Sequence, residues 1–122
     1  MPTNRRNVTR EDLKKEVLDK ITHYTENGFP EAQRLHEIIM SAAPELCPRL
    51  WYGMPGYAKT KDSAVLCFFR KDDLISFGFT EAVDSAKLNP DNKSIIPSAW
   101  YITTLDKEAE AKVAEIVHLL AS

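Results

Sequence analysis

Cysteine is scarce: Cys47 and Cys67 are the only two in 122 residues, and their spacing matches neither a metal knuckle nor a redox pair. Nothing in that spacing supports a disulfide, so a reduced, cytoplasmic protein is expected. Glycine is sparse as well, with four residues in all, none of them in a phosphate-cradling or dinucleotide-binding loop. No apolar run approaches the roughly 20 residues that a membrane-spanning helix needs. Residues 1–8 are polar and lack the apolar segment of a signal peptide, so no membrane anchor is expected. Basic excess is missing too: 16 Lys and Arg stand against 18 Asp and Glu, a formal charge of −2. The pairs Arg5-Arg6 and Lys14-Lys15 are too short to track a phosphate backbone, so no nucleic-acid partner is expected. There is no internal repeat.

What is present is 43% hydrophobic content in a chain of domain length, enough for one core without staples. A disordered tail over residues 1–8 and a single domain over 9–122 are expected. Thr9 followed by Asp12 has the look of a helix N-cap with an acidic first turn. Leu13, Val17, Ile21 and Tyr24 then recur at helical spacing, and Gly28 stands where a helix ends. Pro30 and Glu31 open a second helix whose apolar stripe is Leu35, Ile38, Ile39 and Ala42, stopped by Pro44. Residues 50–53, 64–69, 74–79 and 98–105 read as strands, rich in β-branched and aromatic side chains and separated by turn-formers. Trp51 and Tyr52 are expected on opposite faces of the first. The run 64–69 is apolar throughout, which implies a central strand covered on both sides. Residues 80–88 are read as a short helix. Asp106 caps a closing helix with Val113, Ile116, Val117 and Leu120 inward. The expected fold class is therefore α+β: an antiparallel meander of about four to five strands, with two N-terminal helices and one C-terminal helix packed on it.

The most distinctive segment is Trp51-Tyr-Gly-Met-Pro-Gly-Tyr57. Its glycines and proline make a stiff corner that can hold Tyr52, Met54 and Tyr57 at a rim, with Trp100 contributed from the last strand. A plainer reading gives the same aromatics to the core. Helices cover one sheet face most simply, while aromatics occupy both. The second face is thus expected to meet a small ligand or, as a homodimer, a second copy. Tyr52-Gly-Met-Pro-Gly-Tyr57, with Ala43-Pro44, Cys67-Phe-Phe69 and Ser76-Phe-Gly-Phe79, resembles the YdhG-like family of small bacterial domains. The resemblance runs from about Ile38 to the C-terminal helix. It implies helices on a curved antiparallel sheet and, from members described as frataxin-like, an iron chaperone for iron–sulfur cluster assembly. The chain departs from that pattern over residues 87–98, which contain no glycine.

Asp12, Glu16, Asp19 and His23 fall along one face of the first helix, an oxygen-rich set with one imidazole that suits exchangeable iron. Lys15 and Lys20 border it, and a salt-bridged solvent face explains the same residues. His23, His36 and His118 are all helical and expected at the surface or at a cap, none beside a Cys or Ser in a nucleophile arrangement. No enzyme is expected. The sequence points to a small-ligand binding or carrier domain.

Overall fold

The computed structural model of the protein describes residues 8–84, 95 and 97–122. The first helix, α1 (Arg10–Glu26), starts where the sequence places it. The Thr9 hydroxyl accepts from the Asp12 N–H at 3.1 Å, and the Asp12 carboxylate accepts from the Thr9 N–H at 3.0 Å. This reciprocal capping box satisfies two otherwise orphan donors and holds the Asp12 carboxyl below its usual range. The helix closes at Gly28, whose φ of +92° is open to glycine at little cost. The Phe29 N–H then returns to the Tyr24 carbonyl at 2.8 Å, with the two rings 5.3 Å apart. The second helix, α2 (Ala32–Ala42), follows, and α3 (Lys107–Ala121) ends the chain, capped by the Asp106 carboxylate on the Ala109 N–H at 2.9 Å.

Between the last two helices run β1 (Cys47–Trp51), β2 (Met54–Ala58), β3 (Val65–Lys71), β4 (Ile75–Phe79) and β5 (Ala99–Ile102). They form one antiparallel sheet in sequence order, with β3 in the middle. Alternation sends Tyr57, Cys67, Phe69, Phe77 and Ile102 to one face. There they join Val17 and Ile21 of α1, Leu35 and Ile39 of α2, and Val113 and Val117 of α3 in a single core. A polar pair lies inside it: His36 and Tyr57, both buried, share a hydrogen bond of 2.7 Å between imidazole Nδ1 and phenol oxygen.

Several expectations need correction. Val8 is no loose end but a buried residue packed with Leu13 and Cys47, while residues 1–7 lie outside the described part. Residues 54–58 are a strand, not a corner. Pro55 is accommodated because it faces Leu50 in β1, whereas the ladder to β3 begins only at Gly56 opposite Phe68. The first strand starts earlier than read, at Cys47. The described part of the segment read as a short helix, residues 80–84, makes turns rather than a helix, with the Val83 N–H on the Thr80 carbonyl at 3.2 Å. The rest of that segment is outside the described residues. The last strand is trimmed to Ala99–Ile102. His36, expected at the surface, is inside.

Candidate functional site

All three helices lie against the face that carries Tyr57 and Phe69, so the other face of the sheet is built from different side chains. Register fixes two rows across it. Gly56, Phe68, Gly78 and Ala99 are successive partners on β2 to β5, and Arg70, Ser76 and Tyr101 are successive partners on β3 to β5. Trp51 and Met54 face each other beside these rows, at the closed end of the β1–β2 hairpin.

The glycines explain how the rings lie. A Cβ added at Gly78 would come within 3.0 Å of the tip of the Phe68 ring and 2.9 Å of the Ser98 carbonyl. The ring therefore extends from β3 across the neighbouring strand instead of standing up from the sheet. A Cβ at Gly56 would likewise meet the Trp51 Cβ at 3.0 Å. Trp51 and Phe68 lie 4.8 Å apart, tilted by 35°, as one apolar surface. Ser76 and Ala99, both small, leave space between that surface and Tyr101. The result is a trough of about 370 Å³, with Met54 and Arg70 at its border. Among the described residues Arg70 is the only charged side chain that lines it. Its Nε pairs with Asp72 at 3.3 Å, both side chains being solvent-exposed.

The four sequence-derived binding residues are not brought together. Met54 borders the trough. Tyr52 lies in the two-residue turn Tyr52-Gly53, where both φ angles are positive (50° and 76°), as a type I′ hairpin requires. It is 86% exposed, and its ring meets the Trp51 ring edge-on at 4.7 Å. Tyr52 and Trp51 thus touch instead of pointing to opposite faces, because the chain leaves the strand between them. Tyr57 is on the covered face with no exposure, so it reaches no ligand on the open face. Trp100 is half-buried, with Phe77 stacked at 6.1 Å and Phe79 at 5.7 Å. It borders both the trough and a second cleft of about 340 Å³ between β5 and α3, whose apolar wall includes Phe77, Val113 and Ile116. Trp51 was named from the sequence only within the aromatic segment and not as a binding residue, and Phe68, Arg70 and Tyr101 were not singled out. For Phe68 and Tyr101 the signal was the period-two direction of the strands read at 64–69 and 98–105, where every second residue must leave the core face.

The helix residues weighed for iron have other engagements. Asp12 closes the capping box, Asp19 pairs with Lys15 at 3.0 Å, and the His23 imidazole Nδ1 lies 3.3 Å from the Asn27 side-chain amide nitrogen. Glu16 is exposed on the same helix. Among the described residues no three His, Cys, Asp or Glu side chains are grouped as a metal ion would need. Nor is any described helix long and apolar enough to cross a membrane.

Inside the core, burial is the main cause that lowers the His36 pKa, with the Lys14 cation adding to it and the Glu37 carboxylate opposing it. Burial raises the Tyr57 phenol well above 10 and pushes the Cys67 thiol up to about 12. These groups are held neutral and away from solvent, an arrangement that fixes packing more readily than it moves protons. No protein-family model, curated protein or solved structure matches this chain.

Proposed function

We propose that this domain is a non-enzymatic binding or carrier protein that holds a small flat molecule in the trough on the open face of its sheet. One observation carries the reading: the helices occupy a single face, and the opposite face presents Trp51, Phe68 and Tyr101 around a concavity of about 370 Å³. That volume lies within the roughly 300–1,000 Å³ of small-molecule sites. Tyr101 is 74% exposed, a large apolar surface in water that a stacking ligand would cover. Among the described residues no histidine, cysteine or carboxylate side chain lines the trough, and those that do offer stacking and charge pairing.

The test is a metabolite screen followed by chemical-shift mapping. Binding should perturb the amides of Ser76, Ala99 and Tyr101 and disappear in Phe68→Ala, which keeps the core face intact. Perturbations confined to the β5–α3 cleft, or a screen with no hit, would sink the reading. A second reading, self-association through the same face, has one observation in its favour: β5 is an edge strand, and its Tyr101 is exposed. Light scattering separates the two, since a dimer that dissociates in Tyr101→Ser would support the second.

A further inference from the structure

We infer, resting on that binding reading, that the trough selects a planar aromatic carboxylate, with its ring on the Trp51–Phe68 surface and its carboxylate on the guanidinium of Arg70. The charge pattern points there. The whole chain carries a formal charge of −2, yet among the described residues the only charged side chain lining the trough is a cation. The complement of one Arg in a ring-lined trough is a single negative charge on a flat apolar body.

The geometry is compatible. Arg70 and Ser76 are direct cross-strand partners, and Ser76 is the direct partner of Tyr101. Adjacent strands lie about 4.8 Å apart, so the cation and the phenol stand at opposite ends of a row roughly one bicyclic ring long, with a hydroxyl between them. Phe68 lies low because Gly78 gives it room, which leaves ring surface beside Arg70. Among the described residues the guanidinium meets one ionic partner, Asp72, through Nε alone, at 3.3 Å, with both side chains more than half exposed to water. Such a pair contributes little. A carboxylate offering two oxygens to the guanidinium fork would make the stronger, bidentate contact. Asp72 then acts as a competitor that keeps Arg70 positioned and partly neutralised until the ligand arrives.

The experiment uses three probes of the same ring, indole-3-acetate, neutral indole-3-acetamide and cationic tryptamine, titrated calorimetrically and by chemical-shift mapping. The acetate should bind at least about five-fold tighter than the acetamide, and tryptamine weakest. Arg70→Gln should bring the acetate down to the acetamide's affinity without changing the latter. Asp72→Asn should tighten the acetate alone, and added salt should weaken the acetate alone. Phe68→Ala should weaken acetate and acetamide together. Equal affinity of wild type for acetate and acetamide, with shifts still at Ser76 and Tyr101, would overturn the charge assignment and leave the binding reading standing. No binding of any probe to the wild type would overturn both.

Discussion

Tyr57 and His36 are the residues whose chemistry is most tightly determined by where they sit. Their shared hydrogen bond is buried at both ends, so Tyr57→Phe strands an imidazole nitrogen in the core and should cost about 1–3 kcal/mol. Urea unfolding checks this, and a change below a few tenths would mean that the pair does not couple. Acid should act on the same bond. Burial lowers the His36 pKa from its ordinary 6.5, so the unfolded chain takes up this proton at higher pH than the folded one does. Stability is therefore full above about pH 6.5 and declines as pH falls through that value toward the lower folded one. The charged and titratable groups around His36 are Lys14 from α1, Glu37 from its own helix, and Tyr57 from β2. Of these Tyr57, held well above 10, stays neutral throughout the window. The drop in urea midpoint between about pH 7.5 and about pH 5.5 should shrink in His36→Gln, and an equal drop in both proteins would count against it. None of this was legible in the sequence, because a histidine at helical spacing gives no sign of the tyrosine 21 positions later that makes its burial tolerable.

Elements with local signals were readable from the sequence, and so were β3, β4 and β5 from their apolar and aromatic runs, whereas β2 was not. Thr9, Asp12 and Gly28 mark α1 through bonds made within a few residues. The buried stripe of α3 follows from spacing alone. The strand β2 was hidden because Met54-Pro-Gly-Tyr57 carries two of the poorest strand formers, and only the close approach of Arg49, Trp51 and Val65 to Gly56 shows why a glycine belongs there. The turn Tyr52-Gly53 suits glycine at its second position and strains an aromatic at its first. Gly53→Ala has free space around it, so its effect is conformational only and should be a loss of about 1 kcal/mol, read from the melting temperature. Gly78→Ala makes the opposite kind of test. Its φ raises no objection, but the new methyl meets the Ser98 carbonyl and the Phe68 ring. It should lift that ring, altering ligand binding along with stability. If binding is untouched, Phe68 does not form the floor assigned to it.

At the scale of the whole molecule, the segregated order of helices and strands carried the α+β architecture, since helices flanking a meander have one economical way to pack. It did not give the trough, which depends on register between strands: slipping β3 by one residue would send Arg70 to the core face. The sheet's order has a further consequence, in time instead of space. Each strand pairs with its sequence neighbour, so β1 to β4 assemble through short loop closures, the kind of pairing that forms quickly, while residues 80–98 must be spanned before β5 joins β4. The longest return is that of α3, which packs on α2, with Arg34 of α2 bound to Glu110 of α3 by two hydrogen bonds of 2.8 and 3.1 Å across 76 positions. During synthesis that helix leaves the ribosome after the whole sheet. Until it does, Phe77, Ile102 and Leu35 lack the cover of Val113 and Val117. The nascent chain therefore holds an unfinished core until α3, from Lys107 on, is released, and a chain stalled before Asp106 should be held by chaperones or cleared by proteases instead of accumulating as folded protein.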